Sequence, residues 1–354
     1  MSKKRVAVAL SSGVDSSTAA LLLKEAGYEV MGITMRLWPE EKTEPGKRRQ
    51  PSPSTSNVQD AEQICSTLGI PFHILDLEKE FKQHVIDYFC REYARGRTPN
   101  PCIACNRYIK FGFLLDHALS LDADYLATGH YARIEHHDDT YHLLKGTDPD
   151  KDQSYMLYTL RQDRLSRLLF PLGDYTKSQA RDLALQKGLP SAGKRSSQDI
   201  CFIASDYGAF LSRYFTPTPG EIVNSRGEVL GRHRGTAFYT VGQRHGLGLA
   251  TDEPVYITKI EPDKNRLTVG SKKELHATGL IATEVSWVSG KPPVEPMTVS
   301  VKIRYRSPDI AATVRPGSDS AEVSFHQAQS AITPGQAVVF YRNSEVLGGG
   351  TIES

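Results

Sequence analysis

Residues 6–10 (VAVAL) form a short, uninterrupted apolar run, and residues 11–15 then break it with serine, glycine and aspartate. From Ser16 the apolar positions recur at helical spacing through Ala19, Ala20, Leu22 and Leu23, and Gly27 stands where a C-terminal cap belongs. The first pattern predicts a parallel strand covered on both faces, and the second predicts the helix that follows it. Residues 29–35 supply the next strand. Residues 39–56 have no periodicity and are rich in proline, serine and charge, including Lys47, Arg48 and Arg49, so a mobile loop is expected. A helix opened by Asn57 or Asp60 and closed by Gly69 carries Ala61, Ile64, Cys65 and Leu68 on one face. A third strand is expected at 71–77, and a long helix at about 78–93 takes Cys90 into its apolar face beside Val85, Ile86 and Phe89. Residues 96–112 interrupt with two prolines and resume as a helix carrying Phe111, Leu114 and Leu115. DYLATGHYARI reads as a fourth strand.

Strands alternating with helices to about residue 130 predict an α/β fold with a doubly wound parallel sheet, whose ligands sit beyond the carboxyl ends of the strands. The loop after the first strand, Met35 and Gly129 should converge there. A hairpin at 131–146 and a helix at 177–187 follow. Beyond residue 205 short alternating strands replace the helical pattern, and from 277 it is all β, as in a small barrel. The expected domains are 1–205, a small central domain at 206–275 and a C-terminal β-barrel at 276–354. In MTVSVKIRYR, Val299, Val301, Ile303 and Tyr305 alternate with Ser300, Lys302, Arg304 and Arg306, predicting one apolar and one basic face.

Composition changes this picture little. A formal charge of +2 does not announce a nucleic-acid binder, so any such surface must come from local clustering. The opening MSKKRVAVAL has too short an apolar part for a signal peptide, and no stretch is long enough to span a membrane. Five cysteines, Cys65, Cys90, Cys102, Cys105 and Cys201, are an odd number for a secreted disulfide framework, so a reducing, cytoplasmic setting is expected.

The break at SSGVDSS is where chemistry enters. Small hydroxylic residues around a glycine at a helix N-terminus let backbone N–H groups converge on an anion, and phosphate is the natural guest. The Gly-Lys-Ser/Thr ending of a Walker A loop is missing, so the loop itself places no lysine on a phosphate. It resembles the pyrophosphate loop of ATP pyrophosphatases, Ser-Gly-Gly-x-Asp-Ser, with Ser12 in place of the first glycine. A serine-rich helix cap is the alternative, and Asp15 suits either Mg²⁺ on the phosphates or a capping role. Cys102 and Cys105 form a C-x-x-C, with Cys201 further on. Metal binding, redox exchange, a reactive thiol, an iron–sulfur cluster on three thiolates and three inert cysteines all fit the residues alone.

Taken together, SSGVDSS, GRTPNPCIACNRYIKFG, ATGHYAR, KDQSYML, SSQDICFI, YTVGQRHGLG and KIRYRS resemble the tRNA-specific 2-thiouridylases, in order and across nearly the whole chain. The resemblance implies a three-domain enzyme that uses ATP, with Mg²⁺, to adenylate the C2 oxygen of the wobble uridine and replaces that oxygen with sulfur. It implies tRNA and a sulfur-relay donor as partners; a monomer that engages no membrane is expected. By position, Ala9, Leu10, Ser11, Ser12, Gly13, Val14, Asp15, Ser16, Met35 and Gly129 match the family's ATP contacts. Cys105 matches the nucleophile and Cys201 the persulfide carrier, with a transient Cys105–Cys201 disulfide closing the cycle. Asn100, Pro101 and Cys102 fall in the segment that meets the target base, although some members carry aspartate where Cys102 stands. His130, Lys151, Asp152, Gln153, Arg304, Tyr305 and Gln336 match tRNA contacts, and His233, Arg234, Arg244 and His245 are further candidates. An iron–sulfur version is not favoured, and no metal ligand is firmly assigned. The rival readings are an amidating ligase that adenylates a small molecule, and a tRNA-binding protein in which Ser12 has disabled the loop.

Overall fold

The protein is described by a computed structural model covering residues 3–38, 53–194, 200–203 and 207–354, with backbone alone at 53–56. The basic run at 47–49 and the Ser196–Asp199 part of SSQDICFI lie outside the described residues. The chain folds into two compact units, one of residues 1–85, 102–198 and 344–346, the other of residues 86–101, 199–343 and 347–354.

The first unit is built on a five-stranded parallel sheet of β1 (Arg5–Ala9), β2 (Glu29–Arg36), β3 (Phe72–Asp76), β4 (Tyr125–Ala127) and β7 (Leu168–Leu169), in the order β3-β2-β1-β4-β7. Val6, Ala7 and Val8 of β1 are wholly buried, as an uninterrupted apolar run requires of a central strand. Because β1 lies between β2 and β4, the strand order reverses beside it, and the carboxyl ends of β1 and β4 flank the resulting crevice. Helix α1 (Val14–Glu25) follows the loop and stops as its sequence predicts. Gly27 takes φ +88, with the Gly27 N–H donating to Lys24 O and the Tyr28 N–H to Leu23 O. Helix α2 (Pro53–Leu68) packs Ala61, Ile64, Cys65 and Leu68 into the same core. It begins at Pro53, inside the stretch expected to be loop.

Two further segments differ from expectation. The fourth strand ends at Ala127, and the chain resumes as the hairpin β5 (Ala132–His137) and β6 (Thr140–Lys145). The helix expected after residue 100 is an α-turn at Pro101–Ala104, a π-helix at Cys105–Leu114 and an α-helix at Leu115–Ser120.

The second unit holds a four-stranded sheet of β8 (Gly220–Val223), β9 (Val229–His233), β10 (Tyr256–Glu261) and β11 (Arg266–Gly270), in the order β10-β11-β8-β9. It also holds a closed barrel of β12 (His276–Trp287), β13 (Met297–Lys302), β14 (Ile310–Pro316), β15 (Ser320–Ser330), β16 (Ala337–Arg342) and β17 (Glu345–Ile352, whose first two residues count with the first unit), with β12 pairing both β15 and β17. β13 ends at Lys302. Arg304, Tyr305 and Arg306 lie in a turn in which Ser307 donates to the Arg304 carbonyl through both N–H and hydroxyl. Pro308, which cannot donate to a ladder, follows. The predicted basic strand face is therefore cut short.

Candidate active site

The loop between β1 and α1 is tied by its own hydroxyls. Ser16 Oγ accepts from the Ser11 N–H at 3.1 Å and donates to Gly13 O at 3.2 Å, and Leu10 N–H reaches Ile33 O of β2 at 2.9 Å. Ser12 takes φ +58, the left-handed region that a glycine would occupy without strain. Its hydroxyl donates to Asn57 Oδ1 at 2.9 Å, a partner from α2. Gly13 is the N-cap residue of α1, and no side chain caps that helix, so Asp15 does not serve as a cap. The first-turn N–H groups that a side-chain cap would have satisfied are thus left to the loop.

Asp15 instead joins an ionic cluster that sequence reading missed. Lys177 Nζ lies 2.6 and 2.7 Å from its two oxygens, and Tyr131 Oη donates to Oδ1 at 2.7 Å. Burial, and then the Asp15 charge, hold the Tyr131 phenol well above its usual range. Lys177 is the first residue of the helix Lys177–Gln186, placed by a capping box in which Thr176 Oγ1 accepts from the Gln179 N–H and the Thr176 N–H reaches Gln179 Oε1 at 2.8 Å. That Thr-Lys-x-Gln pattern was the available signal. The lysine absent from the loop itself is therefore delivered to it from 162 residues further on.

Gly129, at the carboxyl end of β4, presses on the same loop. A Cβ there would stand 2.7 Å from Asp15 C and 2.8 Å from Ser16 N, closer than real side chains approach. Met35, half-buried, sits near the carboxyl end of β2, opposite Leu75. The expected ATP contacts thus gather at the carboxyl edge of β1, β2 and β4.

Cys105 opens the π-helix and is buried, whereas Cys102 is exposed. Burial pushes the Cys105 thiol up to about 11, against the opposing pull of Lys110. Cys102, despite its exposed edge, is crowded enough for burial to raise its thiol too, and Lys110 again opposes. Asn106 anchors the segment by donating to Met156 O at 3.0 Å. Cys201 is exposed in the second unit. Among the described residues no group of three or more His, Cys, Asp or Glu side chains is gathered that could hold a metal ion.

Of the residues matched to tRNA, Arg304 is exposed and Lys151, Gln153, Tyr305 and Gln336 are half-buried. His130 and Asp152 are each 7% exposed. Asp152 accepts from the Gly146 and Ser154 N–H groups and the Ser154 hydroxyl, and Gln153 Oε1 accepts from the Tyr131 N–H. In the second unit Gln336 Nε2 donates to Thr98 O at 2.8 Å, and the Thr98 N–H donates to Pro334 O. Arg97 Nε pairs with Glu92 at 2.8 Å. The backbone leading into Asn100 and Pro101 is held from several sides. His233 is structural: buried, it meets Asn265 O at 3.1 Å and accepts from the Gly235 N–H. Arg234 lies 4.6 Å over the Phe238 ring, and Arg244 and His245 are exposed.

Residues 4–205 match the family described as tRNA methyl transferase HUP domain, 208–271 the matching PRC-barrel domain and 277–352 the aminomethyltransferase β-barrel domain. The protein called tRNA-specific 2-thiouridylase MnmA in Carboxydothermus hydrogenoformans is 49% identical over 99% of this chain and 98% of its own. Its namesakes in Geobacter metallireducens and Clostridium perfringens are 48% and 45% identical, over 99% and 100% of this chain and 97% and 99% of theirs. The chain belongs to the tRNA-specific 2-thiouridylase family. Within that family frame, the parallel-sheet domain, the small central domain and the C-terminal barrel are the architecture expected from the hydrophobic pattern. The loop of this thiouridylase relative departs from Ser-Gly-Gly-x-Asp-Ser at Ser12 alone, and Asn57 is the residue that accommodates the departure.

Proposed function

We propose that this protein is an ATP-dependent tRNA-uridine 2-sulfurtransferase, cytoplasmic and monomeric, with domain boundaries near 205 and 275. ATP binds with its phosphates on the loop from Ala9 to Ser16, bounded by Met35 and Gly129. The uridine C2 oxygen attacks the α-phosphorus and pyrophosphate leaves, so a poor leaving group becomes AMP. A persulfide on Cys201, loaded by a donor protein, then attacks C2 through its terminal sulfur and AMP departs. The Cys105 thiolate attacks the Cys201 sulfur, the S–S bond breaks, and the electron pair returns to the transferred sulfur, leaving 2-thiouridine and a Cys105–Cys201 disulfide to be reduced for the next turnover.

The observation that carries the reading is the Asp15 cluster at the switch point of the sheet. Asp15 is the carboxylate suited to Mg²⁺, which binds one or two carboxylates together with substrate phosphates and keeps several waters. Bound there, the ion would neutralise charge developing on the leaving pyrophosphate. Lys177, now paired with Asp15, is within reach of the same anion and acts as a fixed cation. Asn100 and Pro101 are the residues that meet the base in this reading, and Arg304, Tyr305 and Lys151 those that meet phosphates. His130, Asp152, Gln153 and Gln336 complete the positions matched to tRNA contacts.

Nucleoside mass spectrometry of tRNA from a strain lacking the gene tests the assignment: 2-thiouridine disappears and returns with the wild-type gene. A Cys201→Ser variant that thiolates at the normal rate with the natural donor would refute the persulfide role. Pyrophosphate release that needs no tRNA would favour a small-molecule ligase. Visible absorbance in anaerobically purified, active protein would favour an iron–sulfur centre.

A further inference from the structure

Cys105 and Lys110 are five residues apart. In an α-helix of 3.6 residues per turn such positions diverge by about 140°. A π-helix, whose hydrogen bonds run between residues five apart, brings them onto the same face. The wide turns of Cys105–Leu114 thus bring a cation onto the face of the thiol, which an α-helix of the same sequence would turn away.

The cation is aimed from outside the helix. Lys110 Nζ lies 3.5 Å from His130 Nε2, and His130 Nδ1 lies 2.6 Å from Thr128 Oγ1. An ammonium has donors and no acceptor, so Nε2 must accept and the ring proton sits on Nδ1, donated to Thr128. The rings of Phe111 and Phe170, each with its centroid 5.7 Å from that of His130, fix the imidazole from two other directions. Burial, and then Lys110 itself, push the His130 pKa well below its ordinary value, so the ring is neutral at physiological pH and cannot displace the lysine as the local cation. Lys110 and Cys102 are the titratable groups acting on Cys105, and Lys110 acts on Cys102 as well. The two thiols therefore share one cation.

We propose that Lys110 is a positioning residue for sulfur transfer: aimed by a neutral His130, its ammonium is the counter-charge that lets the buried Cys105 thiol ionise and attack. This rests on Cys105 being the reacting thiol, which Cys105→Ser tests separately through loss of tRNA thiolation. A buried thiol needs such help because the thiolate, not the thiol, is the nucleophile, and burial alone disfavours it.

The test is alkylation of the full-length protein by iodoacetamide, with modification of Cys105 followed by peptide mass spectrometry across the neutral to alkaline range. Lys110→Met should react about tenfold more slowly at each pH, the thiolate fraction lost with one unit of pKa. Lys110→Arg, which keeps the charge, should restore most of the rate. tRNA thiolation by Lys110→Met should fall in parallel and, like alkylation, rise with pH as the thiolate fraction grows. Alkylation of Lys110→Met at or above the wild-type rate, or of Lys110→Arg as slowly as Lys110→Met, would overturn the proposal.

Discussion

Ser12 shows how a single departure from a motif is absorbed. A left-handed serine costs about 1–2 kcal/mol, and its bond to Asn57 returns about 1 kcal/mol. In a double-mutant cycle read by urea denaturation, Asn57→Ala should destabilise the wild type by about 1 kcal/mol and a Ser12→Gly background by much less. Gly129 has the opposite sensitivity, because space rather than torsion constrains it. Gly129→Ala should abolish ATP binding in calorimetric titration by driving a methyl group into the Asp15–Ser16 backbone, while far-UV circular dichroism stays close to wild type. The serine substitution was legible in the sequence, but its remedy was not. Asn57 is 45 residues away and Lys177 is 162 away from Asp15, and no local pattern reports which distant side chain a fold brings back.

At the scale of elements, hydrophobic periodicity located nearly every strand and helix that builds the site. It failed where the local backbone departs from its usual repeat. Phe111, Leu114 and Leu115 are all buried, as a helical reading requires, yet the segment from Cys105 to Leu114 is wound wider than the 3.6 period assumes. Apolar spacing over ten residues does not separate the two windings. The strand at 297–302 ended early because a proline and a serine-closed turn outrank alternation. The capping box that starts Lys177–Gln186 was readable as Thr-Lys-x-Gln, and it carries a prediction. Thr176→Ala should cost about 1 kcal/mol of stability. It should also lower the rate of tRNA-dependent pyrophosphate release, because it loosens the first turn that presents Lys177. Lys177→Met should lower that rate by about a hundredfold, the scale of losing one preorganised charge at a reacting phosphate.

For the molecule as a whole, burial of thiols sets an alkaline limit. Cys65 and Cys105 each ionise near 11 in the folded chain rather than at the ordinary 9.0. Since their folded values are raised, the associated stability is fully present below about pH 9 and is lost as the pH rises through 11. Urea midpoints should therefore fall across that interval. Cys65→Ala should lower the midpoint at neutral pH but flatten the alkaline decline; an equal alkaline slope in the variant would show that other groups govern it.

The first unit is not continuous in sequence. Residues 344–346 complete it: the Lys145 N–H donates to Ser344 O, Glu345 pairs with Leu144, and His142 Nδ1 lies 2.6 Å from Glu345 Oε1. During synthesis the five-stranded sheet can form early, but the hairpin at 132–145 waits for residues 344–346, its partner Glu345 lying 203 positions beyond His142. A prematurely terminated chain therefore lacks part of the unit that handles ATP, even when every residue of its phosphate loop has been made.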